Sequence, residues 1–548
     1  MKPTRFIALT AGLIFVCAIV AFAESGPNYT TRVYPGIDGK LVYAPDSLGN
    51  IIPDFSNAGY MGGGVMLPIV PNKVTLWGVE GDATPVIQAA IDSVSAMPAD
   101  ANGFRGAVLL RAGYYEMNGP VTISTSGVVL RGAGQDDLGT ILIGKVVPPD
   151  PNAAPAGGRG FGGRGRTNSL INITGSGTAE PDSSTLKRIT DDYVPVGTRT
   201  FTVENTRGYK VGDTILVNRH GNDDWLKEIG MDSETAGRNA WRRAFSISSD
   251  RIITAIDGKK ITVDAPIMCA IETIWGGGDI MKYSAPGRIE NCGIENIRGM
   301  SDFDQNVRQQ EYGNIDRHPY IAEEYYSDEN HWRTLITFGN STNCWIRDIT
   351  ALHFVNSLVC VTRTASRVTI QDCTSISPVS QRWGARRFTY LIEGQLNLIL
   401  RCKADQGRHN FVLGGPQAAG PNVFYDCVAT REYATSEPHN QWSTGALWDC
   451  VEAELTARYW DYSIGWAGAN MVFWNCEGDF RIQQPPTANN FTFGHIGINA
   501  SIINYELQDQ TKPEGYMESL DRHVTPESLF LKQLEDRLGM QAVANISK

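Results

Sequence analysis

Beyond its first 23 residues the sequence has no apolar run long enough to cross a membrane, which excludes a bundle of membrane-spanning helices. Basic residues are in short supply. The 48 Lys and Arg against 59 Asp and Glu leave a net charge of −11, which argues against nucleic acid as a partner. Any anionic ligand must therefore be met by a local group of cations. Histidine is scarce, at eight, and no spacing of His, Cys, Asp and Glu matches a zinc or calcium motif, so the sequence assigns no metal ligands.

What is present begins with a leader. Lys2 and Arg5 precede an apolar run from Phe6 to Phe22, and Ala21-Phe22-Ala23 forms an A-x-A exit, the pattern of a secretory signal spanning 1–23. A membrane anchor is the competing reading. Phe15-Val16 before Cys17 lacks the small residues of a lipoprotein site. The expectation is a secreted or periplasmic protein, free of the membrane once the signal is removed, and a monomer.

Ten cysteines in an exported chain would invite disulfides, but their spacing points elsewhere. Five segments share one pattern: Thr369-Ile-Gln-Asp-Cys373, Leu398-Ile-Leu-Arg-Cys402, Val423-Phe-Tyr-Asp-Cys427, Ala446-Leu-Trp-Asp-Cys450 and Val472-Phe-Trp-Asn-Cys476. A period in the twenties with one β-branched or aromatic strand per repeat marks a β-solenoid. Each cysteine would then sit at one coil position and stack on the next as a small buried residue. Ile289-Glu-Asn-Cys292 and Asn343-Cys-Trp-Ile-Arg-Asp348 are looser members.

Near the front, Asp82 to Asp92 reads as an amphipathic helix, followed by Gly106-Ala-Val-Leu-Leu-Arg-Ala-Gly-Tyr-Tyr115 and Gly127-Val-Val-Leu-Arg-Gly-Ala-Gly134. This order resembles the entry of pectate-lyase-superfamily proteins, where a short helix caps the first coil before a Gly-turn strand and an L-R-G-x-G turn. Pro53 to Gly64 looks like the leading loop of some secreted members. The resemblance implies an all-β, right-handed parallel β-helix of the polysaccharide-lyase type. The predicted organisation is a signal at 1–23, a leading segment at 24–80, and a helix cap with first coils at 81–182, including a Gly/Arg-rich loop at 149–167. A β-rich insert or extra coils follow at 183–270, then the main coils at 271–505 and a tail at 506–548 with a helix N-capped by Thr525 and ended by Gly539.

Chemistry is sought on the strand between cysteine strands. His331-Trp-Arg-Thr, Arg387-Phe-Thr-Tyr390, His409-Asn-Phe-Val, His439-Asn-Gln-Trp442 and Tyr462-Ser-Ile-Gly-Trp466 can be set in register. Equivalent residues on successive coils lie about 4.8 Å apart, so Arg387, His409, His439 and Tyr462 would form a column about 15 Å long. β-Elimination from a uronate polymer needs a group that neutralises the carboxylate, a base and an acid. Arg387 or Arg408 would clamp the carboxylate, His409 or His439 would be the base, and Tyr390 or Tyr462 the acid. Arg386, Trp442, Trp466 and His331 would bind substrate beside them, with Glu437 on the same face. Each has a plainer reading: histidines at strand entries are often structural, arginines can offset acidic surface, and most tryptophans pack in cores.

Glycoside hydrolysis is the alternative, drawing a carboxylate pair from Glu393, Asp405, Glu432, Glu437 and Asp461. A non-catalytic carbohydrate-binding solenoid is the third reading. The acidic stretch with Asp302, Asp304, Asp316, Glu323, Glu324, Asp328 and Glu329 leaves room for Ca2+, although a solvated loop explains it as well.

Overall fold

The structure is a computed structural model and describes residues 27–145, 168–309, 324–415, 417–460, 464–499 and 511–547. The expected leader, the Gly/Arg-rich loop, Asp316, Glu323, Asp461 and Tyr462 lie outside the described residues.

Strands from Asn72–Leu76 to Tyr516–Glu518 pair in parallel, coil upon coil, making the chain an all-β parallel β-helix. One register line runs Leu109, Arg131, Glu295, Arg347, Gln371, Leu400, Tyr425, Asp449, Trp474, Phe493, Glu518. A second face includes Thr374–Ile376, Lys403–Asp405 and Val428–Thr430. The third is a six-stranded parallel sheet ending in Ser357–Val361, Phe388–Ile392 and His409–Leu413. Strands buried on the coil interior alternate Tyr390 and Ile392, then Phe411 and Leu413, into one continuous apolar core.

The cysteine ladder exists with one slip. Cys373, Cys402, Cys427 and Cys476 are fully buried free thiols at one coil position. The register pairs Val423 with Leu447, not Ala446, so Val451 takes the ladder place of that coil and Cys450 falls one residue short of it. The cause is the corner. Asp372, Arg401, Asp426, Cys450 and Asn475 all have φ between +48° and +55°, the left-handed bend that turns one face into the next. Cys450 occupies that bend, where its Sγ donates to the Glu527 carbonyl. The earlier cysteines, Cys292 and Cys344, stack on each other in a column shared with Val368 and Asn397.

Thr84–Ser95 forms the helix over the first coil, burying Ile87, Ala90, Ile91 and Val94, with Asp82 accepting from the Thr84 amide. Residues 180–284 build an antiparallel six-stranded sheet with its own core of Val203, Ile215, Val217, Ile253, Ile261 and Ile280. Trp225 and Trp241 of this insert interlock with Trp442 and Trp466 of the coils. At the other end the helix spans Leu529–Leu538. Ser528, not Thr525, is its N-cap: the hydroxyl accepts from the Leu531 amide and donates to Asp449 on the coil below. Gly539 ends the helix at φ 83°, and a further helix, Met540–Ile546, follows.

Candidate functional site

Thr435, Glu437 and His439 alternate along an extended segment and so share one face. The Ser436–Leu455 pairing sets Thr456 and Arg458 of the next coil beside them. Glu437 is the hub. Its carboxylate accepts from the Thr435 and Thr456 hydroxyls at 2.8 Å each, from His439 Nδ1 at 2.7 Å and from Arg458 at 3.4 Å, and His409 Nδ1 stands at 3.3 Å. Burial alone would raise this carboxyl, but the His439 N–H and the Arg458 guanidinium outweigh it and hold Glu437 well below the usual carboxylate range. It is an anion.

His409 comes from the entry of strand His409–Leu413 and is completely buried. Its Nδ1 donates to the Thr435 carbonyl at 2.7 Å, which leaves the lone pair on Nε2, a buried nitrogen without a partner. Burial, followed by the neighbouring Arg408, depresses its pKa well below the ordinary histidine value, so the ring is neutral. His439 donates Nδ1–H to Glu437, which turns its basic Nε2 away from the carboxylate, and 11% of its side chain reaches the surface. The two imidazoles lie 4.7 Å apart, and Phe388 packs edge-on against both at 5.0 and 4.9 Å.

Beside this pair the segment 380–387 gathers cations. Arg408, the neighbour of His409, donates to the Gly384 carbonyl at 2.7 Å, and Arg333 donates to Ala385. Arg382 is sandwiched between the rings of Tyr325 and Tyr433 at 4.0 and 4.3 Å, with its Nε and one Nη buried and unpartnered. Arg386 forks onto Glu329 and lies against Trp383, whose ring is 40% exposed. Cations thus outnumber acids here in a chain that is acidic overall.

Several expected residues sit elsewhere. The strand register places Phe388, not Arg387, opposite His409, and pairs Pro438 with Leu413, so the proposed column does not form. His409, Glu437 and His439 meet through side-chain reach rather than by stacking. Arg387 is buried with its guanidinium bonded to Ser380 and the Gln406 carbonyl, leaving it a strut of the arginine segment rather than a clamp. Tyr390 faces the core, donating to the Cys373 and Lys403 carbonyls, and burial pushes its phenol far above the ordinary value. It cannot reach a substrate as the acid. His331 is buried with Nδ1 on Ser301 and Nε2 on the Asp328 and Val379 carbonyls. Trp442 and Trp466 are 0% and 1% exposed and hold the insert, with Trp466 Nε1 donating to Ile229.

Sequence reasoning missed Thr435, Thr456, Arg458, Arg382 and Trp383. The alternation Thr435-Ser-Glu437-Pro-His439 carried a signal for the first; nothing local marked the others. Among the hydrolase candidates, Asp405 is tied to Arg431 and Glu393 is buried at the opposite end of its strand. Glu432 is buried and accepts from Asn410 and the Glu454 amide, and burial followed by Glu454 raises its pKa to about 8.

His409, Glu437 and His439 also form a group whose ligand atoms lie near enough to hold a metal ion. The His439–Glu437 contact has hydrogen-bond length, and His409 Nδ1 is already committed to Thr435, so these donors fit proton handling better than a metal centre. In the acidic stretch, the described carboxylates are mostly engaged: Asp302 with Lys145, Glu324 with Arg308, Glu329 with Arg386, and Asp304 and Asp328 with backbone amides.

No family model matches the sequence, and no curated protein matches it. Among solved structures the chain is similar to the tailspike protein gp49 from Pseudomonas phage LKA1, at 13% identity and a TM-score of 0.38 over 76% of this chain and 55% of that one. It is similar also to the tailspike protein of E. coli bacteriophage HK620 in complex with pentasaccharide, at 13% identity and a TM-score of 0.28 over 86% and 55%. A third is Geobacillus virus E2 ORF18, at 9% identity and a TM-score of 0.32 over 82% and 59%. The chain spans little more than half the length of these proteins.

Proposed function

We propose that this protein is an exported carbohydrate-active β-helix that cleaves an anionic, uronate-containing glycan by β-elimination. The observation that carries the reading is His439, aligned by a buried anionic Glu437 beside an arginine-rich, Trp383-bearing segment. A carboxylate fixed on Nδ1–H orients the ring and stabilises the imidazolium that forms when Nε2 takes a proton. Arg408, partly exposed beside His409, supplies positive charge where a uronate carboxylate would need neutralising before its α-proton becomes acidic, and the buried Arg382 adds to that field without touching the substrate. Trp383 offers a ring face for a sugar. With Tyr390 in the core, the protonated His439 is the group that returns the proton to the leaving oxygen, so one imidazole serves both halves of the elimination. The pectate-lyase-like order of helix, Gly-turn strand and Leu-Arg-Gly turn is the sequence side of this reading.

Glycoside hydrolysis is favoured by one separate observation: two buried carboxyls five residues apart in sequence are shifted in opposite directions by their own surroundings, Glu432 to about 8 and Glu437 well below its usual range, as an acid and base pair requires. Glu437, however, spends its oxygens on Thr435, Thr456, His439 and Arg458, which suits an orienting group rather than a nucleophile. The test incubates the protein with a panel of uronic-acid polymers and follows both ultraviolet absorbance of unsaturated ends and reducing sugar. Absorbance with reducing ends supports elimination. Reducing ends alone support the hydrolase, and neither signal across the panel overturns both in favour of a binder.

A further inference from the structure

Three adjacent strands of the antiparallel insert bring a second set of reactive side chains together. Thr214–Arg219 is the middle strand, with Ile247–Asp257 on one side and Gly278–Ser284 on the other. The register sets Asn218 opposite both Ser248 and Asp279. Past the strand end the Gly221 amide donates to the Phe245 carbonyl at 3.0 Å, which carries the ladder on and sets His220 opposite Ser246. With a period of two, Asn218, His220, Ser246, Ser248 and Asp279 share one face.

The side chains are linked in one order. His220 Nε2 lies 2.8 Å from Asp279 Oδ2, and Nδ1 lies 2.7 Å from Ser246 Oγ. A carboxylate only accepts, so Nε2 carries the hydrogen and Nδ1 offers its lone pair to the Ser246 hydroxyl. The carboxylate is fixed in turn: Asn218 donates to its Oδ1 at 2.8 Å, and Ser248 donates to Asn218 at 2.6 Å. Burial alone would raise Asp279, but the hydrogen bonds from His220 and Asn218 outweigh it and hold the group below the usual carboxylate range. Burial falls off along the line, from Asp279 at 4% exposed through His220 at 28% to the open Ser246. A buried anion, an imidazole it orients and an accessible hydroxyl are the parts of an activated serine nucleophile. An exposed serine has water for a partner, so folding does not require its bond to His220. Ser246 opens on a cavity of about 280 Å3 between the insert and the coil turns, with Ser248 and Leu216 on its own wall and Thr364 and Gln395 across from it. That space admits a short acyl group.

We propose that Ser246, His220 and Asp279 form a second catalytic site, which hydrolyses carboxylic esters of short acyl groups through an acyl-serine. Ser246 Oγ bonds to the ester carbonyl carbon while its proton passes to His220 Nδ1; the bond from that carbon to the alcohol oxygen then breaks, and the proton leaves with the alcohol. Water attacks the acyl-serine, giving a proton to Nδ1, and Ser246 takes that proton back as the carboxylic acid departs. Asp279 touches no substrate and is a positioning residue that keeps the hydrogen on Nε2. The site uses neither His439 nor a uronate, so it stands or falls apart from the elimination.

The test treats the full-length protein with a fluorophosphonate, maps the labelled peptide by mass spectrometry, and follows hydrolysis of p-nitrophenyl acetate over a range of concentrations. A label on Ser246 and saturable release of p-nitrophenol are expected; saturation separates this from slow attack by surface imidazoles. Ser246→Ala, which removes only an exposed hydroxyl, should lower kcat by about 10²-fold or more and lose the label. Asp279→Asn should lower kcat to a similar degree with KM little changed, which a merely structural role would not do. No label on Ser246, ester hydrolysis by Ser246→Ala at the wild-type rate, or an unchanged kcat in a folded Asp279→Asn would each overturn the proposal.

Discussion

Replacing Glu437 with Gln keeps the shape of the hub and removes its charge. Arg458, 1% exposed, then loses its carboxylate partner, and breaking a buried ion pair from one side costs about 3–5 kcal/mol. For a chain of this length, with an unfolding entropy of roughly 2 cal/mol/K per residue, that lowers Tm by about 3–5 °C. The pH dependence has a definite sign. A carboxyl whose folded pKa is depressed contributes stability above its unfolded value, near 4.5, and loses it as pH falls through the folded value. The Tm gap between wild type and Glu437→Gln should therefore be full at pH 7 and shrink in acid. Turnover should fall by about 10²–10⁴, because His439 loses the anion that orients it and stabilises its protonated form, while KM changes little. Calorimetry across pH and steady-state kinetics on a polyuronate read both effects. An unchanged Tm at pH 7 together with unchanged kcat would refute the assignment of Glu437 as a charged hub.

Four further outcomes follow from the packing and from two buried titrating groups. Cys450→Asn should leave stability within about 0.5 kcal/mol, since it puts a residue tolerant of left-handed φ at the corner, whereas Val451→Asn should cost about 2–4 kcal/mol by burying an amide in the ladder; chemical denaturation distinguishes them, and the reverse order would restore the cysteine-aligned register. Glu432, raised to about 8, keeps a proton that the unfolded chain releases near 4.5, so stability should decline between about pH 5 and 8 by roughly 1.4 kcal/mol per unit for that proton, and Glu432→Gln should flatten the decline. On the acid side, His495, lowered to about 4 by burial, must stay neutral in the fold and should cost stability as pH drops from 6.5 to 4. Ser528→Ala removes the cap of the C-terminal helix and one partner of Asp449, and should cost about 1 kcal/mol and expose that helix to limited proteolysis; unchanged cleavage would count against the cap.

The repeat was legible because a coil position that faces a close-packed interior tolerates few side chains, and Cys373, Cys402, Cys427 and Cys476 keep it visible in one sequence. Cys450 misled the alignment since a cysteine at the corner looks like one inside, and only the backbone reveals the left-handed φ. The slip matters at the site as well. Strand entries such as Arg387 and His409 are preceded by turns of unequal length, so equal-looking motifs need not share a register. Tyr390 was unreadable for a different reason: with period two, one residue decides between core and surface. Trp442 and Trp466 face a partner, the insert, whose position no local pattern records, while Trp383 sits in a Gly/Arg segment that resembles ordinary solvated loop. His409 and His439 were found because each precedes an asparagine at the entry of its strand, and Glu437 because it stands two residues before His439.

The most direct measurement is the initial rate of ultraviolet absorbance growth when the wild type and His439→Ala act on the same uronate polymer, with folding of the variant checked by calorimetry. The account predicts unsaturated ends from the wild type and a loss of about 10²-fold or more in a folded His439→Ala. Full-rate elimination by the folded variant would contradict it.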